Sequence, residues 1–255
     1  MTTDIVPLYG RFFQAAEIDL ESAQILKNAN HFQPALYHFQ QAYEKCVKSY
    51  YSLKETTENN TPESVIYEKL RKLGHDTQKS TIKLLQEIAN IQILWARKEI
   101  VRIQNIQAGN QPLNATDLNA LPILHQIILE ARGFQAKCDN LVTKYNLEAN
   151  YEGNVRNYKQ TVKKQYTSQK SKSKLIAKQE NKHQIFLNVI NSMTNLYPCF
   201  YRMEQTTRYP LSEFSYENLD ILANQKEACN QIDEMLGTLF SILKRYLNAI
   251  ASIPF

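Results

Sequence analysis

In the run Arg71-Lys72-Leu73-Gly74-His75, a guanidinium and an imidazole stand with three residues between them. On a helix that spacing shares a face, where an imidazole suits acid/base work and a guanidinium suits an anion. Gly74 works against the pair, because it unwinds the turn that would join them. The plainer reading makes His75 a helix-end residue and Arg71 a solvated charge. A denser polar set runs through His38, Gln40, Gln41, Glu44, Lys45 and Lys48. Lys45 and Lys48 suit phosphate groups. Equally, Glu44 and Lys48 stand at i,i+4 and suit one another, and Gln41 suits a bond between helices. His31 and His38 lie seven apart, but neither an H-x-x-x-H nor an H-x-x-E pattern accompanies them, so no metal site is expected. Gly-rich phosphate cradles are missing from the sequence, which excludes P-loop, dinucleotide and kinase chemistry, and no cofactor is expected.

These residues need helices to position them. Ala35, Leu36, Phe39, Ala42, Tyr43, Cys46, Val47, Tyr50 and Leu53 recur at helical spacing, so Phe32 to Leu53 reads as one amphipathic helix. Pro34 falls in its first turn, where a missing N–H costs nothing. Phe13, Ala16, Leu20, Ala23 and Leu26 mark a preceding helix over Phe12 to Leu26, with the turn at Asn28-Ala29-Asn30. A short helix follows to Leu70, with Thr61 as its cap and Pro62 in its first turn. After Gly74, a long helix capped by Asp76 or Thr77 is expected to about Gln107. Asn110 to Asn114 is a loop. A further helix opens at Thr116 or Asp117 and runs to about Tyr145, Pro122 being tolerable within its first turns. Periodicity returns at Ile185 to Met193 and again from Leu219 to Ile250, with Ser215 as a cap.

The two opening helices form a hairpin of pattern A-x-x-D-L-x-x-A…H-F-x-x-A-x-x-x-x-Q-Q-A-x-E-K, carried by Ala16, Asp19, Leu20, Ala23, Phe32, Ala35, Gln40, Gln41, Ala42, Glu44, Lys45 and Lys48. Gly74-His75-Asp76 and Thr207-Arg208-Tyr209-Pro210 follow in order. Together these pieces resemble the HEPN domain (higher eukaryotes and prokaryotes nucleotide-binding), over residues 12 to about 94 and about 197 to 248. The resemblance implies an all-α, up-and-down antiparallel helical bundle. On this reading residues 1–255 are a single domain with an insertion at about 110–182. It also implies a site in which Gln41, Lys45, Lys48 and Arg208 receive a nucleotide or RNA and Tyr209 stacks on a base. A homodimer is implied, as is a nucleotidyltransferase partner in a toxin–antitoxin or defence-type system.

Many members of that family are metal-independent ribonucleases whose signature is an Arg, four to six residues, then a His. No Arg of these 255 residues has a His at that spacing; Arg71 and His75 come nearest. The resemblance therefore points to a non-catalytic binding module, with a ribonuclease toxin using a nonstandard site or a helical interaction scaffold as alternatives.

Charge is distributed unevenly. Arg156 to Lys182 holds nine Lys or Arg against the single acid Glu180, a local +8; since the whole chain is +5, the remainder is −3. Lys159, Lys163, Lys164, Lys170, Lys172 and Lys174, with Tyr158 and Tyr166 between them, suit backbone contact and stacking on single-stranded RNA. The same run also suits a solvated helix or a linker. Only 6 Gly and 8 Pro interrupt the chain, no alternating stretch proposes a sheet, and Cys46, Cys138, Cys199 and Cys229 stand far apart. Four buried thiols in a reducing cytoplasm are expected, without a membrane span.

Overall fold

The computed structural model describes residues 6–73, 77–109, 115–147, 162–170, 182–200 and 226–251. Every regular element among them is an α-helix: α1 (Leu8–Asn28), α2 (Phe32–Asn59), α3 (Glu63–Lys72), α4 (Thr77–Ala108), α5 (Ala115–Leu147), α6 (residues 162–170), α7 (Lys182–Phe200) and α8 (Lys226–Ala251).

All nine residues of the stripe on α2 are buried, which makes this helix the centre of the bundle. A helix with one wide apolar face buries it against neighbours. Here α1, α4, α7 and α8 supply them. One continuous core joins α2 to Phe13 and Ala16 of α1, Leu85 and Ile88 of α4, Val189 and Met193 of α7, and Ile232, Leu239 and Leu243 of α8. Each large apolar side chain fully buried there contributes about 1.5–3 kcal/mol.

The hairpin α1–α2 turns through Asn30, whose φ of 62° is left-handed and suits an Asn. The N–H of His31 closes the turn on the Leu26 carbonyl at 2.8 Å. Down its length Ser49 Oγ donates to the Tyr9 carbonyl at 2.8 Å, so the two helices run antiparallel. α2 continues beyond Leu53 to Asn59 and stops at Asn60, again left-handed at φ 53°. The expected Thr61 cap of α3 does not form. Pro62 occupies the cap position without a side-chain bond, and the Thr61 hydroxyl donates instead to Glu55 Oε2 at 2.8 Å. A buried carboxylate is the stronger acceptor, and it takes the hydroxyl.

α4 and α5 form a second antiparallel pair. Near the bundle they join the main core, but farther out Ala96, Ile100, Ile103, Leu124 and Ile127 make a separate small core between the two helices. Pro122 is the eighth residue of α5, about two turns in. α6, within the basic tract, lays Val162 into the main core, and Gln169 Nε2 donates to the Met235 carbonyl on α8 at 3.1 Å. Leu219 and the Ser215 cap lie outside the described residues. No helix among the described residues is long and apolar enough to cross a membrane.

Candidate functional site

Along the flank of α2 that faces α1, Asp19 is the organising residue. It is buried, and a buried carboxylate must find partners. It finds two: Oδ1 lies 3.1 Å from His38 Nδ1, and Oδ2 accepts from Lys45 Nζ. His38 and Lys45 are seven residues apart on α2, so one carboxylate fixes two half-exposed side chains two turns apart. One step around the helix, Lys48 pairs with Glu44 at i,i+4. Gln41 sits between His38 and Lys45, and among the described residues neither its buried Nε2 nor Glu44 Oε2 has a hydrogen-bond partner. The flank therefore holds two ordered ammonium groups, one oriented imidazole and polar atoms with unused bonding capacity.

Of the residues expected to bind a ligand, Gln41, Lys45 and Lys48 thus share one surface. Arg208 and Tyr209, expected beside them, lie outside the described residues. The bond network shows the structural role as well: Glu44, placed on the polar flank from sequence, is buried and closes the Lys48 pair.

Arg71 is exposed near the end of α3, where its Nη2 donates to Glu68 Oε2 at 3.0 Å and its Nε to the same oxygen at 3.2 Å. That hydrogen bond raises the guanidinium's pKa further, keeping it a fixed surface cation. His75 lies outside the described residues. In the basic tract, Lys163 and Lys164 are exposed. Lys170 is exposed as well, but engaged within the fold: its Nζ donates to Tyr166 Oη at 3.0 Å, and Tyr166 Oη donates to Glu234 Oε2 at 2.6 Å, tying α6 to α8. Lys159, Lys172 and Lys174 lie outside the described residues. No group of three or more His, Cys, Asp or Glu that could hold a metal occurs among the described residues.

A second polar centre was not anticipated. Lys54, only 2% exposed, lies at the meeting point of four helices. Its Nζ pairs with Glu58 of α2, donates to Gln92 Oε1 of α4 at 3.1 Å, and to Tyr246 Oη of α8 at 3.3 Å. The rings of Tyr50, Phe186 and Tyr246 surround it, with centroids at 5.6, 5.3 and 5.5 Å. Burial disfavours the charge, but Tyr246 and Glu58 outweigh it, and the ammonium's pKa is raised. Next to it, Glu55 accepts from Tyr51 Oη at 2.7 Å, Asn59 Nδ2 at 3.0 Å, Thr61 Oγ1 at 2.8 Å and Lys69 Nζ at 3.2 Å. The signal was in the spacing: Lys54 stands four residues after Tyr50 and seven after Val47, on the apolar stripe itself.

Residues 9–102 match the HEPN domain family, a span that runs from α1 through most of α4 and includes the whole flank. Residues 197 to 248, where the resemblance was also drawn, lie beyond that match. No curated protein and no solved structure matches the chain.

Proposed function

With a HEPN domain over residues 9–102 as its premise, we propose that this chain is a nucleotide- or RNA-binding module whose contact surface is the polar flank of α2. The observation that carries the reading is the pair of half-exposed ammonium groups, Lys45 and Lys48, each held by its own carboxylate on one flank. Such groups are ordered before a phosphate arrives, so binding loses little side-chain entropy. His38, oriented by Asp19, and Gln41 add hydrogen-bonding capacity beside them. Lys163 and Lys164 of α6 extend the reading to the backbone of a longer strand, and residues 110–182 are proposed as an insertion in a single domain. Arg71 has no catalytic part in this proposal, since Glu68 engages it at the surface. A nucleotidyltransferase as protein partner, in a toxin–antitoxin or defence-type system, belongs to the proposal on family grounds alone.

Fluorescence anisotropy with a labelled single-stranded RNA pool and with labelled ATP tests it. RNA affinity should fall steeply as salt rises, because released counterions drive the binding. Lys163→Glu with Lys164→Glu should weaken binding across sequences and lower the log–log salt slope by about 1–1.5. Lys45→Glu with Lys48→Glu should weaken binding at least about tenfold, the effect of losing two charge-assisted contacts. Absence of binding to both probes at low salt would overturn the proposal.

A further inference from the structure

Asp19 and His38 form a carboxylate–imidazole pair between α1 and α2. Nδ1 of the imidazole lies 3.1 Å from Asp19 Oδ1, and the side chains of His38 and Asp19 are 32% and 12% exposed. The carboxylate is thus buried, and the imidazole is the more accessible of the two. In the neutral ring this bond keeps the proton on Nδ1, so the free lone pair stands on Nε2, away from the carboxylate. The Tyr37 ring meets the imidazole edge-on, with centroids 5.4 Å apart and planes at 74°, which holds the plane of the ring.

The other oxygen of that carboxylate accepts from Lys45 Nζ, which brings an ammonium to the same group. Gln41, three residues after His38 and on the same face, carries an amide donor without a partner among the described residues. Glu44, the acid of this flank, is engaged by Lys48. An oriented nitrogen nucleophile beside a cation has the parts for taking up a phosphoryl group: a lone pair for phosphorus and positive charge for its oxygens. His125 supplies the contrast. Its Nδ1 is also fixed, 2.8 Å from the Leu121 carbonyl, but by a neutral acceptor.

The geometry points to His38 Nε2 as a site phosphorylated by an acyl phosphate. The lone pair attacks phosphorus and an N–P bond forms; the P–O bond to the acyl group breaks, and its electron pair leaves on the carboxylate. That leaving group needs no acid, which suits a site whose one oriented base is the nucleophile itself. The Nδ1 proton stays in place, and the positive charge the ring acquires is balanced by Asp19. Lys45 offsets the charge of the phosphoryl oxygens. Asp19 is a positioning residue in this reaction. The modification shares its flank with nucleotide or RNA binding and does not depend on it.

Incubation of the full chain with acetyl phosphate at neutral pH, followed by intact mass and peptide mapping in alkali, tests it. The chain should gain the mass of one phosphoryl group on His38, stable in base and lost in acid, as an N–P bond requires. His38→Gln should gain none, with helix content unchanged by circular dichroism. His125 should react at least about tenfold more slowly than His38, and Lys45→Gln should slow the wild-type reaction about tenfold, each lacking a charge-assisted contact. Phosphorus NMR of the wild type should show the Nε2 isomer alone. In Asp19→Ala both isomers should appear, a change that a merely structural role would not produce. No phosphoryl adduct, an acid-stable one, or one spread equally over His38 and His125 overturns the inference. An Nδ1 adduct in the wild type overturns the role of Asp19, and an adduct formed from ATP but not from acetyl phosphate overturns the donor class. Modification of His38 in a chain that binds neither RNA nor ATP would remove the binding proposal and leave this one standing; binding without modification would do the reverse.

Discussion

Glu55 shows how much a single side chain can organise. Burial alone would push its carboxyl pKa up, but the bonds from Asn59, Tyr51 and Thr61 and the charge of Lys69 outweigh it and hold the pKa below the usual value. A carboxyl lowered on folding adds stability above its unfolded pKa and loses it as pH falls through the folded one. Urea unfolding from pH 7 downward should therefore show stability declining through the acid range. Glu55→Gln should cost about 1–3 kcal/mol at pH 7 and flatten that decline. A variant with unchanged slope would remove Glu55 from the account. At this scale the sequence was half legible. The apolar stripe of α2 could be read outright, because helical periodicity survives any tertiary arrangement. The place of Lys54 on that stripe could be read too, but the burial of Lys54 and Glu55 could not, because a Lys or Glu in sequence is read as solvated unless its partners are known. For Lys54, Gln92, Phe186 and Tyr246 come from distant helices. For the polar flank of α2, spacing alone was enough to place Lys45 beside Gln41, whereas the role of Asp19 as a shared anchor needed the α1–α2 packing.

Helix ends are where element-level reading fell short. Thr61 before Pro62 and Glu63 is a good cap by type, yet its hydroxyl turns back to Glu55, since a buried carboxylate outbids an orphan backbone N–H. Likewise, α2 runs to Asn59 rather than Leu53 because the polar run Lys54 to Asn59 bonds within the helix, Glu58 to Lys54 and Asn59 to Glu55. What stops it is Asn60 in a left-handed conformation, which lets the Thr61 N–H reach the Glu55 carbonyl at 3.0 Å. Asn60→Ala should then destabilise by about 1 kcal/mol, from the steric cost of a Cβ without the compensating amide. Asn60→Gly should be neutral within a few tenths. Thermal unfolding of both variants decides; equal losses would show that the cap's side chain, not its backbone, matters.

At the level of the molecule, all four cysteines are buried and free, in four different helices. Burial pushes the thiols up, to about 12 for Cys138, Cys199 and Cys229 and well above the usual thiol value for Cys46. A thiol must ionise to react, so an aromatic disulfide reagent at pH 8 should label none in the native chain and all four in denaturant. Rapid labelling of any of them without denaturant would mean that its helix opens readily. The all-α class could be read from the scarcity of Gly and Pro, and the thiols from their helical settings. The meeting of the chain's two ends could not be read from periodicity, which says that a face is apolar but not what covers it. That meeting has a consequence for synthesis. Lys54 and the tyrosine that completes its enclosure are 192 residues apart. At about 5–20 residues per second, roughly 10–40 s pass between the ribosome's addition of one and the other. For that interval the central helix is a nascent segment with its aromatic side and a lysine uncovered, dependent on transient cover until the last helix emerges.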